Sequence, residues 1–113
     1  MIILEKAITI EELRKLAENW FGDMVKGVGD IELGIISLDA ELHSDLEEIM
    51  LENGSKQKDL WGFNLYPEFD GEDFIEYDSL INIRPGQGNR SRGVEDETIR
   101  KKLEETINKW IIR

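Results

Sequence analysis

Cysteine is missing from the 113-residue sequence, which also holds only two prolines and one histidine. Without cysteine the chain has no disulfide, no thiolate nucleophile and no cysteine-ligated zinc site. A single histidine also disfavours a Ser-His-Asp triad, and it disfavours zinc and iron centres, which draw on several nitrogen or sulfur ligands. These absences remove much nucleophilic and metal chemistry before any motif is considered.

Long apolar runs are absent as well, since no stretch approaches the roughly 18 consecutive apolar residues of a membrane helix. The start, MIILEKAITIEEL, has no basic segment followed by a long apolar stretch, so it does not resemble a secretory signal. We therefore expect a cytoplasmic protein. Because 40% of the residues are hydrophobic and no linker or repeat interrupts the chain, residues 1–113 are expected to form one globular domain.

Basic residues are few, with 14 Lys and Arg against 25 Asp and Glu, which gives a net charge of −11. Such a surface repels nucleic acid and anionic lipid, which argues against generic nucleic-acid binding. The charge is uneven, because residues 79–93 contain three arginines and no acid. This basic segment is where we expect function to lie.

Hydrophobic periodicity predicts eight elements. A short strand over Ile2–Leu4 precedes a helix over 10–21, for which Thr9 and Glu12 have the spacing of a capping box. Strands follow over 24–31 and 35–43, and then a short helix capped by Ser44 with Glu47. The sequences LWGFNLYP and FIEYDSLINIR predict a β-hairpin, and a last helix spans 97–112 with Asp96 as its N-cap.

The predicted order β-α-β-β-α-β-β-α favours an α+β fold, a two-layer sandwich with helices on one face of a mostly antiparallel sheet. The large aromatic residues fall on predicted buried faces and are expected in the core: Trp20, Trp61, Phe63 and Trp110. The opposite, polar face of the sheet is expected to carry Asp39, Glu41, His43, Asn64, Tyr66, Glu76, Asp78, Asn82 and Arg84.

Two stretches, LWGFNLYPE and INIRPGQGNRSRGVED, resemble a small uncharacterised prokaryotic family, a domain of unknown function. The resemblance extends from MIILEKAITIEEL to the last helix. It implies an intracellular protein from a bacterium or archaeon, and it transfers no activity, cofactor or functional residue.

The segment 84–93, called here the arginine loop, is the first candidate site. Its arginines alternate with glycines and small polar residues, and guanidinium groups and glycine backbone N–H groups both suit phosphate or carboxylate. The sequence therefore predicts binding of a small anionic ligand, such as a phosphate, nucleotide or carboxylate, by Arg84, Gln87, Asn89, Arg90 and Arg92. The alternative is that these arginines pair with the protein's own acids and fix the loop. Neither a P-loop nor a dinucleotide-binding motif is matched.

The polar sheet face supplies the second candidate, as a face supporting the loop. Its members are Glu41, His43, Asn64, Asp78 and Asn82. Histidine with carboxylates can hold a metal or act as a general base. A metal-assisted hydrolase or phosphoryl-processing enzyme using Glu41, His43 and Asp78 is thus an alternative function, although an exposed histidine at a strand end is the simpler interpretation.

A third alternative is a protein–protein interaction module, with a partner docked on the polar face or on an uncovered strand edge. A homodimer is included in this alternative. The sequence names no cofactor.

Overall fold

Three α-helices and seven β-strands make up the computed structural model, which describes all residues 1–113. The helices are α1 (Ile10–Glu18), α2 (His43–Glu52) and α3 (Glu97–Trp110). The strands are β1 (Ile2–Ile3), β2 (Ile8–Thr9), β3 (Val25–Asp30), β4 (Ile35–Leu38), β5 (Leu60–Leu65), β6 (Ile75–Glu76) and β7 (Ile111–Ile112). No helix combines the length and the apolar character that crossing a membrane requires.

Five strands form one antiparallel sheet in the spatial order β1-β4-β3-β5-β6. The central strand is β3, where Val28 lies opposite Ser37 of β4 on one side and Gly62 of β5 on the other. A separate parallel pair joins β2 to β7, with Ile8 opposite Ile111. The α+β class and the mostly antiparallel sheet are thus confirmed. The β2-β7 pair was not predicted, because strands of two residues carry no periodicity.

The helices lie on both faces of the sheet, which differs from the predicted single helical face. On one face, α1 and α3 bury the main core, in which Leu13 and Leu103 join Ile36 and Phe63. On the other face, α2 covers a smaller core of five buried residues: Val28, Ala40, Leu46, Met50 and Leu60. The second face therefore carries enough apolar surface to hold a helix over one end, and only the remainder is polar.

The predicted N-caps of the first and last helices are confirmed. The Thr9 hydroxyl accepts from the backbone N–H of Glu12, and the Glu12 carboxylate accepts from the N–H of Thr9. Asp96 accepts from two N–H groups of the first turn of α3. The first helix ends at Glu18, before the predicted residue 21, because Gly22 at φ +86° turns the chain and donates to the carbonyl of Ala17.

The predicted core positions of Trp61 and Phe63 are confirmed, since both side chains are buried. Trp20 is half exposed instead, because α1 ends before it, and its indole N–H donates to Asp39. Trp110 is partly buried at the edge of the main core.

The third predicted strand, 35–43, ends at Leu38, and this shift places His43 in a helix. Asp39 has a φ of +74°, a left-handed conformation that interrupts the strand. Helix α2 then begins at His43 with Leu42 as its N-cap, so the predicted cap at Ser44 is wrong. His43 is consequently buried at the start of a helix, where an exposed strand end was expected.

The second strand of the predicted hairpin is reduced from 74–84 to Ile75–Glu76. Beyond it the Asn82 side chain takes over the pairing, accepting from the backbone N–H of Gly62 at 2.9 Å and donating to the Gly62 carbonyl at 3.0 Å. Because Gly62 lacks a side chain, Ser79 packs directly on β5. The Asn82 side chain thus makes the hydrogen bonds to β5 that a longer β6 would have made. The chain after β6 leaves the sheet and lies beside it.

Candidate functional site

Arg84 is fixed within the protein. Its guanidinium lies 4.2 Å from the centre of the Trp61 ring and donates to the backbone carbonyls of Gln57 and Leu60. Burial lowers its pKa from the ordinary arginine value. Arg84 makes no ion pair with an acid within 4.0 Å. These contacts hold the arginine loop against the end of β5.

Gln87 and Asn89 also use their side-chain amides on backbone carbonyls of the chain. Gln87 donates to the carbonyl of Lys58 at 3.1 Å. Asn89 is buried, donates to the carbonyls of Asn82 and Gly93 at 2.8 and 2.7 Å, and accepts from the N–H of Glu95. These two predicted anion ligands are therefore occupied in shaping the loop.

The other two arginines of the loop remain more accessible. The Arg90 side chain is exposed and has no ion pair within 4.0 Å. Backbone N–H groups of Ser91 and Arg90 donate to Glu95 and lower the pKa of that carboxyl. Arg92 donates through Nε to Asp78 at 2.6 Å, and its side chain is 55% exposed, which leaves the end of its guanidinium accessible.

A cavity of about 520 Å³ lies next to Arg92, on the polar part of the sheet face that α2 covers. We call it the α2 cleft. It is bounded by the start of α2 (42–44), Lys26 of β3, Asn64 of β5 and Arg92. The segment 76–81 forms its remaining side, and we call this segment the wall. Concave sites of this size hold small-molecule ligands in other proteins. Of the predicted residues, the structure brings His43, Asn64, Asp78 and Arg92 together here.

A row of three polar side chains forms the floor of the α2 cleft. Lys26, Asn64 and Glu76 lie directly opposite one another on three adjacent strands. Residues in such register project from the same face of a sheet. Asn64 donates to Glu76 at 2.9 Å, and the Tyr66 hydroxyl donates to the same carboxylate oxygen at 2.9 Å. Burial, followed by that bond to Glu76, raises the pKa of Tyr66 to about 12.

The floor contains a polar atom with no partner. Asn64 is only 4% exposed, and its side-chain oxygen Oδ1 accepts no hydrogen bond. Because its amide nitrogen faces Glu76 and the carbonyl of Asp78, the orientation of the amide is fixed by its neighbours. Buried acceptors without a donor are rare in folded proteins and call for an explanation. In the floor of the α2 cleft, this oxygen is a buried acceptor without a donor.

His43 closes the cleft from the α2 side. Its Nε2 lies 2.9 Å from the carbonyl oxygen of Phe63, and since a carbonyl only accepts, this nitrogen carries a proton. Burial lowers the pKa of His43, and the positive charge of Lys26 lowers it further. No carboxylate lies within 4.0 Å of the ring. The imidazole is thus a neutral donor to the backbone, without the acid partner that a general base uses.

The beginning of α2 offers backbone donors to the same cleft. Its N-cap is Leu42, which has no side-chain acceptor for the first N–H groups of the helix. The N–H of Asp45 donates to the carbonyl of Leu42 at 3.2 Å, whereas the N–H groups of His43 and Ser44 remain available to solvent or to an anion. The helix dipole favours negative charge at that end.

Two members of the predicted supporting face lie elsewhere. Glu41 is exposed in the bend before α2 and does not bound the cleft. Asn82 is buried, and its side-chain amide is hydrogen-bonded to the backbone of Gly62. No group of three or more His, Asp or Glu side chains is arranged to hold a metal ion. The predicted convergence of Glu41, His43 and Asp78 is therefore not present.

Lys26 is the charged residue of the α2 cleft that the sequence interpretation missed. It lies in a strand broken by glycines, VKGVGD, where alternation is hard to recognise. The signal was nonetheless present. Lys26 lies two positions before Val28 in the strand, so its side chain is on the same face of the sheet as the core under α2.

The fold and cleft define a class: a small α+β domain with a polar, concave site on the open part of a helix-covered sheet. The chain belongs to the family described as protein of unknown function (DUF5674), whose model matches residues 2–110. This confirms the resemblance to an uncharacterised family. No match was found among curated proteins, and none among solved structures.

Proposed function

We propose that the protein binds a small molecule bearing an anionic group, and that the anionic group is held in the α2 cleft. The observation that carries this proposal is the position of Lys26 in the cleft. Lys26 bounds a concave site, and its ammonium has no carboxylate within 4.0 Å and lies 5.0 Å from the centre of the exposed Phe21 ring. Most lysines of the chain lack an ion pair, and Lys26 differs from them in bounding a concave site, where its charge can meet an outside anion.

Two further groups support the same placement. The uncapped first turn of α2 offers backbone N–H groups, which bind anions at many helix N-termini. Arg92 uses only Nε on Asp78, so its terminal nitrogens remain as donors at the cleft edge. Relative to the expectation from sequence, the site moves from the whole arginine loop to the cleft, and Arg92 belongs to both.

The alternatives have less support. A metal-assisted hydrolase needs a ligand set that the side chains do not form. An interaction module would use exposed apolar residues, of which Leu42 and Leu80 are the largest near the site, but both belong to the rim of the same cleft. A cytoplasmic location, a prokaryotic source and a homodimer remain predictions from the sequence.

The test is a titration with inorganic phosphate at low ionic strength, followed by two-dimensional amide NMR. We expect shifts at Lys26, Ser44 and the side-chain amide of Asn64. Lys26→Gln should weaken binding about tenfold, the effect of losing one partly desolvated charge contact. Lys101→Gln removes an exposed lysine from α3, away from the cleft, and should leave the affinity unchanged. Equal affinity in the two variants, or shifts confined to residues 84–93, would refute the proposal.

A further inference from the structure

The floor of the α2 cleft carries unpaired charge of both signs. Lys26 at one end of the row and Glu76 at the other each lack an ion pair. They stand two strands apart, so their backbones are separated by about 10 Å, twice the spacing between paired strands. Asn64 lies between them and keeps them from pairing. The cleft thus has a basic end beside α2 and an acidic end beside β6.

The acidic end has free acceptors. One oxygen of Glu76 takes both protein donors, the amide of Asn64 and the hydroxyl of Tyr66, and the other accepts none. Asp78 similarly receives Arg92 on one oxygen only. Asn64 Oδ1 adds a buried acceptor without a donor. A carboxylate alone has no donor for these three acceptors, whereas a ligand that carries N–H donors as well as an anionic group can bind them.

Apolar side chains also bound the cleft. Met24, Leu42, Leu80 and Ile81 contribute to its boundary, and Leu80 is 67% exposed while Leu42 is 51% exposed. Covering exposed leucines at the rim of a concave site with an apolar group removes apolar surface from water and so favours binding. The site therefore combines two opposite charges on its floor with apolar side chains at its rim.

We infer that the ligand is a zwitterion of the amino-acid type, with an ammonium group, a carboxylate and an apolar side chain. The inference rests on the proposed function, which supplies the place of the carboxylate at Lys26 and the start of α2. The ammonium lies at Glu76, because Asp78 is already paired with Arg92, and the side chain packs on Leu42 and Leu80. A molecule that carries both charges matches both ends of the floor, and one that carries a single charge leaves one end unpaired.

The test compares L-phenylalanine with two probes that each lack one charge, 3-phenylpropionate and 2-phenylethylamine, by amide NMR titration of the intact chain. Glycine serves as the probe without an apolar side chain. L-Phenylalanine should bind at least about tenfold more tightly than each of the other three, since every 1.4 kcal/mol of lost contact is a factor of ten. A ratio near one for both single-charge probes would overturn the inference.

Matched variants assign the two ends. Glu76→Gln keeps the oxygen that accepts from Tyr66 and removes the negative charge, so it should weaken L-phenylalanine about tenfold and leave 3-phenylpropionate unaffected. Lys26→Gln should weaken L-phenylalanine and leave 2-phenylethylamine unaffected. Dispersed amide spectra of both variants establish that they are folded.

The outcomes separate the two proposals. If phosphate and 3-phenylpropionate bind in the cleft and L-phenylalanine binds no better, the anion site stands and the zwitterion is rejected. If L-phenylalanine binds equally well to the native protein and to Glu76→Gln, the acidic end has no role and the inference fails. If none of the probes, phosphate included, perturbs the cleft, both proposals fail together.

Discussion

Single residues of the arginine loop have different roles despite their similar chemistry. Arg84 stacks on Trp61 and caps backbone carbonyls, Arg92 pairs with Asp78, and Arg90 is exposed without an ion pair. Spacing along the sequence could not separate these roles, because each depends on what the fold places opposite the side chain. The sequence left two alternatives, arginines that are free for a ligand and arginines that pair with the protein's own acids. The three arginines of this loop do not all follow the same alternative.

Arg84 is predicted to stabilise the fold without contributing to ligand binding. Arg84→Lys removes the planar fork that reaches two carbonyls and stacks on Trp61. We expect the free energy of unfolding to fall by about 1–3 kcal/mol in urea denaturation, the usual effect of leaving buried polar groups unpaired. The affinity of the α2 cleft for phosphate should not change.

Arg90→Gln is the matched control in the same loop, since the Arg90 side chain is exposed, and its effect on stability should stay within about 0.5 kcal/mol. If Arg84→Lys left the stability intact and abolished phosphate binding, Arg84 would be a ligand residue and its structural role would be wrong.

His43 is predicted to make stability depend on pH. Its pKa in the folded protein is lowered below 6.5 by burial, whereas the unfolded chain has the ordinary value. As the pH falls through 6.5, the unfolded chain takes up a proton that the folded protein does not, so acidification reduces the free energy of unfolding. His43→Gln keeps an N–H donor and cannot titrate, so the difference in stability between the two proteins should shift in favour of the variant between pH 7 and pH 5.

Urea denaturation across this pH range measures the effect, and NMR of the imidazole checks that the folded ring keeps its proton on Nε2. A difference between the two proteins that does not vary with pH would show that His43 titrates normally in the folded state.

At the scale of elements, the sequence predicted what local patterns control. The capping box of Thr9 and Glu12 and the alternation of Trp61, Phe63 and Leu65 identified α1 and β5, because both signals come from neighbouring residues. The end of β4 and the length of β6 were not predictable in this way. The first depends on a left-handed Asp39, and the second on an asparagine side chain that replaces a strand.

Asn82 is predicted to hold the wall of the cleft in place. Its amide satisfies both backbone groups of Gly62 and donates to the carbonyl of Arg92 at 3.0 Å. Asn82→Ala leaves these groups unpaired, and we expect the free energy of unfolding to fall by about 1–3 kcal/mol. Amide exchange at Gly62 should become faster.

Asn108→Ala, at an exposed position of α3, is the control and should change stability by less than about 0.5 kcal/mol. Unchanged exchange at Gly62 in Asn82→Ala would mean that β5 does not depend on this side chain.

The site was predicted from the sequence only in part, because its assembly depends on contacts between distant segments. His43, Asn64, Asp78 and Arg92 were named in advance, because polar residues alternate with apolar ones along the strands and the loop is rich in arginine. Their assembly around Lys26 depends on the order in which the strands pair, with β3 between β4 and β5. That order is a property of the whole sheet and is not encoded in any one segment.

At the scale of the whole molecule, the distribution of charge separates the cleft from the rest of the surface. The chain carries a net charge of −11, whereas the charged residues that bound the cleft are two cations, Lys26 and Arg92, and two carboxylates, Glu76 and Asp78. Since the general surface repels anions, an anionic ligand is favoured only where such local cations and helix N–H groups converge. The α2 cleft is such a place, and the exposed Arg90 is its competitor.

Crystals soaked in selenate, a tetrahedral dianion with an anomalous signal, distinguish these two places directly. The account predicts an anomalous peak inside the α2 cleft, within hydrogen-bonding distance of Lys26 Nζ and the first N–H groups of α2, and no such peak in Lys26→Gln. A cleft without selenate, with peaks only at Arg90 and other exposed cations, would contradict it.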